Sequence, residues 1–330
     1  MQKDSKLEPL FLVSRNKNNL WQIISRLTRF IVLVLLCSII GILNPSFFSI
    51  NNLQNILRQF TPVLVLAFGQ MVVIVGGGID LSMGGVGAVA GAIMATMYDN
   101  GQSMLLSILI GIIIGALFGL INGLLVTSIG LPPFIATFGT YLVGRGVVVW
   151  ILGGKIIYKF PEPFRFIGAG KVLGMPTIFL IGLIIIAFFY VLLNRTSFGS
   201  ALYYTGSNQT ASIISGIKVK RILNITYIIS GIMSAFACIL FVSRLNSMKS
   251  DIGEGFEMDG ISGALVGGVS FSGGIGNVSG TVLGALIIVI LRNSLNMLGV
   301  SQNWHGVTMG TMMILMILAD EILRRRVGNR

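Results

Sequence analysis

The sequence predicts an all-α, polytopic helical membrane protein with about ten transmembrane segments, an internal repeat and broken helices. Three observations point there. Of 330 residues, 54% are hydrophobic and only 10% charged, whereas a soluble domain carries about 25% charged residues. Apolar runs recur from end to end at close to the about 20 residues that cross about 30 Å of hydrocarbon. The remaining charges gather at the ends of those runs. The apolar fraction excludes a disordered chain, the 43 glycines show no Gly-X-Y period, and two cysteines cannot build a disulfide scaffold. Cys37 and Cys238 both lie inside apolar runs, where they read as small buried hydrophobes.

The runs, in order, are 29–43, 62–78, 81–98, 104–129, 134–152, 176–193, 222–242, 260–272, 277–298 and 305–321. The first follows a 1–28 tail too long for a secretory signal and leads into Asn44-Pro45 instead of a small-residue cleavage site, so it reads as a retained anchor. Basic residues cluster in that tail (Lys3, Lys6, Arg15, Lys17, Arg26, with Arg29 at its edge), in the 194–221 loop (Arg195, Lys218, Lys220, Arg221) and in the 322–330 tail (Arg324, Arg325, Arg326, Arg330). That is the positive-inside pattern: both termini and the middle loop are cytoplasmic, and an even number of spans agrees. The net charge of +12 therefore speaks of lipid and not of nucleic acid, since no basic stripe is interleaved with aromatics.

The eighth run is too short and glycine-rich to cross straight, and reads as a half-helix or a re-entrant turn buried in protein. On a count of ten, the loops 44–61, 99–103, 153–175, 243–259 and 299–304 face outward. The basic 153–175 loop and the acidic 243–259 loop either pair with each other or dock an external partner. Gly111, Gly115, Gly119 and Gly123, and again Gly276, Gly280 and Gly284, recur every four residues, which makes them seams where helix backbones meet closely. The stretch Gly77-Gly78-Ile79-Asp80-Leu81-Ser82-Met83-Gly84-Gly85 echoes Gly267-Gly268-Val269-Ser270-Phe271-Ser272-Gly273-Gly274 with one residue deleted. Transporters built from repeats place helix breaks at such corresponding positions.

Asp80 is the one acid within the apolar part of the first half, flanked by glycines. It is either a functional intramembrane carboxylate or a cap for the third run, helped by Ser82, and the two roles are compatible. Arg145 in the fifth run and Arg292 in the ninth must face the protein interior or snorkel, and Arg145 is a candidate partner for Asp80. His305, the sole histidine, has no ligand cluster at metal spacing, and no Gly-x-x-x-x-Gly-Lys-Ser/Thr loop occurs. The chain therefore carries no catalytic, metal or cofactor site of its own, and any ATP is bound by a partner subunit. Within the 194–221 loop, Gly206 to Gly216 leaves room for a short helix capped by Ser207 or Asn208, with Ile213, Ile214 and Ile217 on an apolar side. Such a face suits a groove on another protein or the lipid interface.

These residues resemble the permease subunits of ribose- and galactose-type sugar ABC importers. The resemblance covers about 44–321 and rests on Gly78-Ile79-Asp80-Leu81-Ser82, Pro133 to Thr140, Arg145-Gly146, Gly206-x-Asn208-x-x-Ala211 through Ser215-Gly216-Ile217, Glu257-Met258-Asp259, and Gly267 to Gly274. Ser212 stands where the family usually has a second alanine, and Gly260, Ser262 and Gly263 stand where it favours alanines. The resemblance implies a second permease copy or paralogue, ABC ATPase subunits docked on the loop at Gly206, Asn208, Ala211, Ser215, Gly216 and Ile217, and an extracytoplasmic sugar-binding protein facing Glu257 and Asp259. A sugar offers hydroxyls and no charge, so the substrate path calls for hydrogen-bonding groups and aromatic faces; Asp80, Ser82, Asn122, Phe134 and Arg145 are the candidates. The rival reading is an ion-coupled secondary transporter, with Asp80 and the repeat as its coupling machinery.

Overall fold

The computed structural model describes residues 29–301 together with 304, 306–308, 310, 311, 314 and 318. The two tails and most of the predicted 305–321 run, His305 included, lie outside the described residues. Among them the regular structure is helical, apart from two two-stranded ribbons.

Helix α1 (Arg29–Leu43) and a 3-10 turn (Pro45–Phe48) lead into α2 (Ile50–Val75). Ser49 caps α2 by accepting from the Asn52 N–H, so helix occupies most of the stretch predicted as an outward loop over 44–61. The polar residues that hid this turn are used inside the fold: Asn52 and Asn293 exchange amide hydrogen bonds at 2.9 and 3.1 Å. From Phe60 to Val75 every residue of α2 is buried, which makes it the central post.

α3 (Met83–Asp99) is followed by α4 (Met104–Leu124), which runs on as a π-helical turn (Leu125–Ile129). α5 (Pro133–Leu152) leads to strand β1 (Ile157–Tyr158), the short α6 (Glu162–Ala169) and a β2–β3 hairpin (Lys171–Val172, Met175–Pro176). Then come α7 (Thr177–Asn194), α8 (Ser197–Ser207), α9 (Gln209–Ile214) and α10 (Val219–Leu245). Strand β4 (Ser247–Met248), α11 (Phe256–Val266) and α12 (Val278–Met297) complete the described fold. α10 packs against α2, α3 and α4, and α11 against α2 and α12. Phe68 of α2 stacks on Phe189 of α7, with ring centroids 4.6 Å apart.

Six of the described helices are long and apolar enough to cross a membrane: α2, α4 with its π turn, α5, α7, α10 and α12. The predicted number of ten is not reached among the described residues, because α1, α3 and α11 are shorter. α11 is the half-helix expected of the eighth run. The glycine seams are backbone contacts. A Cβ on Gly115 would stand 2.5 Å from the Gly231 carbonyl oxygen, and one on Gly119 would collide with the Tyr227 carbonyl. In the second seam, Gly284 and Gly280 of α12 lie against the carbonyls of Gly263 and Gly267, but Gly276, predicted on the same stripe, precedes α12 and faces the Val75 and Val269 side chains.

The two stretches that the sequence reads as a repeat each open on a helix C-terminal closure, of a kind that also ends α3, α9 and α12 at Gly101, Gly216 and Gly299. α2 ends with Gly76 N–H donating to the Val72 carbonyl, Gly77 at φ +87° and Gly78 N–H donating to Val73. α11 ends with Gly267 N–H donating to Gly263, Gly268 at φ +80° and Val269 N–H donating to Ala264. Gly77 and Gly268 each supply the left-handed residue that closes a helix C-terminus, one residue out of the register that the motifs suggest.

Gly231→Ala, whose Cβ runs into the Gly115 carbonyl, is expected to cost about 1–3 kcal/mol of stability by forcing α4 and α10 apart. The thermal midpoint of the detergent-solubilised protein measures it. Gly146→Ala, whose Cβ meets nothing within 4 Å, leaves that midpoint unchanged or slightly raised.

Candidate functional site

Between α2 and α3 the chain runs non-helically for seven residues, and Asp80 sits in this break, 1% exposed. A buried carboxylate is tolerated only when hydrogen bonds replace its water, and here they come from the break itself and from α10. Ser82 donates to Asp80 Oδ1 from its backbone N–H at 2.8 Å and its hydroxyl at 2.5 Å. Ser230 of α10 donates to Oδ2 at 2.6 Å. The Gln70 side-chain amide of α2, oriented so that both its groups are satisfied, donates to the Asp80 carbonyl at 3.0 Å and accepts from its N–H at 3.2 Å.

The network continues outward. Asn122 of α4 donates to the Ser82 hydroxyl at 2.8 Å, and Thr140 of α5 donates to Asn122 Oδ1 at 2.7 Å. The Leu81 N–H donates to the Thr137 hydroxyl of α5 at 3.1 Å. Three of the five predicted path residues, Asp80, Ser82 and Asn122, thus form one buried knot joining α2, α3, α4, α5 and α10. Asp80 forms an Asx turn three residues ahead of α3 and is not its N-cap residue, which is Ser82.

Arg145 does not pair with Asp80. It donates to Glu254 at 2.6 Å and to the Ile252 carbonyl at 3.1 Å. The reason is height along α5: Thr137 is level with the break, and Arg145 lies eight residues, about 12 Å, farther along. Phe134 is 57% exposed on the same helix. Asp259 is buried and accepts two hydrogen bonds from Arg292, one at 2.8 Å. This bidentate arrangement suits a partly desolvated pair. Glu257 is half-buried beside Gly84, with one carboxylate oxygen buried and unpartnered. Neither acid stands free at the surface. Sequence reading noted Arg292 for its depth and missed its partner, although an acid in the neighbouring half-helix was the signal available.

The 153–175 and 243–259 loops do meet, through backbone and not charge. β1 pairs antiparallel with β4, Ile157 opposite Met248, and the Phe160 N–H donates to Asn246. The ion pairs formed among the described residues at this end are Arg145–Glu254 and Lys249–Asp251.

At the opposite end, the 194–221 loop forms two helices where one was expected. Asn208 ends α8 and caps α9, its Oδ1 accepting from the Ala211 N–H at 2.9 Å. Gly216 at φ +82° closes α9 after Ser215, and the Ile217 N–H donates to the Ser212 carbonyl. Ile213 and Ile214 are 62% and 82% exposed. α8 is fastened to both breaks. Gly206 lies on the Val75 carbonyl, which itself accepts from the Gly274 N–H at 2.8 Å. Tyr203 donates to the Gly276 carbonyl at 2.9 Å, and burial pushes its phenol up to about 12, so it stays a donor. A cavity of about 710 Å³ opens between α9, the first break and the start of α5, with Gly77, Pro133, Gln209 and Tyr227 in its wall. Among the described residues no group of three His, Cys, Asp or Glu side chains is placed to hold a metal ion.

The profile of the family described as "Branched-chain amino acid transport system / permease component" matches residues 52–317. A ribose import permease protein of Bacillus subtilis is 40% identical over 300 residues, covering 90% of this chain and 93% of that protein. The ribose import permease protein of Escherichia coli K12 is 36% identical over 88% of this chain and 92% of its own length. The galactose/methyl galactoside import permease protein of the same strain is 34% identical over 89% and 93%. No solved structure matches the chain.

Ser230→Ala takes one donor from the Asp80 carboxylate and is expected to cost about 1–3 kcal/mol, read as a lower unfolding midpoint in detergent. An unchanged midpoint would mean that the break does not depend on α10 for its anchoring.

Proposed function

The chain belongs to the family of branched-chain amino acid transport system permease components, and on that premise we propose that it is the membrane permease subunit of an ATP-driven importer of a monosaccharide. The observation that carries the sugar assignment is that relatives named for ribose and galactose import match this chain over nearly their whole length. The chain is a transport component and not an enzyme; ATP hydrolysis belongs to separate ABC ATPase subunits.

These subunits dock on α9. The exposed Ile213 and Ile214 supply an apolar face that fits a groove on a partner protein, with Gly206, Asn208, Ala211, Ser215, Gly216 and Ile217 shaping the element. Motion of α9 reaches the two breaks through Gly206 and Tyr203, the rigid contacts between them. The β1–β4 end faces outward and receives a sugar-binding protein, and a second permease copy or paralogue completes the path in the bacterial inner membrane. Both termini and the 194–221 loop are cytoplasmic, as the basic clusters require. Ion coupling through Asp80 is disfavoured, because its carboxylate oxygens are engaged by Ser82 and Ser230.

Reconstituted with its ATPase subunits and binding protein in proteoliposomes, the chain is expected to take up D-ribose or a related sugar only with ATP inside. Asn208→Ala removes the cap of α9 and is expected to lower that uptake at least tenfold with membrane insertion intact. Uphill accumulation by the chain alone under an imposed ion gradient would overturn the reading.

A further inference from the structure

Three helices leave most of their surface uncovered: 22% of the central residues of α4, 28% of α5 and 22% of α7 are buried. Lipid contact accounts for α4 and α7, whose mean hydropathy is 2.8 and 2.6. α5 is as exposed yet much less apolar, at 1.6, so hydrocarbon is not the natural solvent for its whole free face.

One edge of that face carries an ordered row. The rings of Phe134 and Phe138 are 6.0 Å apart and 9° from parallel, and those of Phe138 and Tyr141 are 6.1 Å apart and 11° from parallel. Phe134 and Phe138 are 57% and 43% exposed, and Tyr141 is half-buried. With Arg145 they fall within an arc of about 60° on the helix. The row covers about 10 Å and has polar ground at each end. Beyond Tyr141 lies the Arg145–Glu254 pair, and before Phe134 lies Pro133, in the wall of the cavity that also holds Gln209.

We propose that Phe134, Phe138 and Tyr141 form a stacking track for the sugar, a property that rests on the importer reading above. A neutral monosaccharide has an apolar C–H face and a rim of hydroxyls. Exposed rings stacked in a row offer apolar surface to the first while leaving the second to water, and they bind weakly at several successive places. Conduction needs that combination, since a solute held too well at one site does not leave. Phe138, central in the row, is the residue on which discrimination for a ring-shaped solute depends.

Two measurements on the complete transporter test this. In a chain with Cys37 and Cys238 replaced, Phe138→Cys is expected to react with a charged, water-soluble thiosulfonate, and Leu117→Cys on the lipid face of α4 is not; a Phe138→Cys that stays unlabelled overturns the track. Phe138→Leu keeps an apolar side chain and removes the ring. It is expected to cut ATP-driven D-ribose uptake at least tenfold while co-purification with the ATPase subunits persists, and Phe138→Tyr is expected to retain more than half. Wild-type uptake by Phe138→Leu, or equal loss in the Leu and Tyr variants, overturns the track and leaves the importer reading intact. A wild-type complex that moves no sugar at all removes the importer reading, and the track with it.

Discussion

A carboxylate enclosed at the point where a helix breaks is the constraint around which this molecule is arranged. Ionised or not, Asp80 needs hydrogen-bond partners where water does not reach. Its carboxylate finds them in Ser82 of the break and Ser230 of α10 and its main chain in Gln70 of α2, while Ser82 and Asn122 relay the requirement to α4 and α5. The break that frees the backbone for this purpose is itself unstable in an apolar surrounding. Each feature makes the other tolerable: the loosened backbone lets Asp80 approach five helices, and the side chains so gathered satisfy it.

The second constraint is steric. Where lipid gives no hydrophobic drive between helices, close backbone approach supplies the packing, and the glycines of α4, α10, α11 and α12 serve that end. The same economy of size governs the end bearing α9. Gly206 sits where the first break ends α2 and the second break returns to it through Gly274. A displacement of α8 is therefore felt by both breaks together, without a long side chain that would absorb the movement.

Much of the fold was legible beforehand. Hydropathy found the apolar cores of the long described helices, and the spacing of four found the first glycine seam and two of the three glycines of the second. Asn208 and Gly216 marked the ends of α9 because caps and left-handed closures have strict residue preferences. Hydropathy failed where helix and apolarity part company. Ile50 to Gln59 is helical but polar enough to read as loop, and α8 was hidden in a stretch whose apolar residues lack a long run. The expected Asp80–Arg145 pair failed because opposite charges in neighbouring segments say nothing of height along a helix axis.

Taken by itself, the sequence determined that the chain lies in a membrane, where its helices break and which loop carries a capped short helix. These depend on local composition and short-range backbone rules, which neighbouring residues satisfy among themselves. Only the tertiary structure decided that Asp80, Ser82 and Asn122 close into one buried knot, that Arg145 turns to Glu254 and Arg292 to Asp259, and that the aromatic rings of α5 remain uncovered. Those outcomes depend on which faces meet across the bundle and at what depth, and residues far apart in the chain acquire such relations only once the helices have packed.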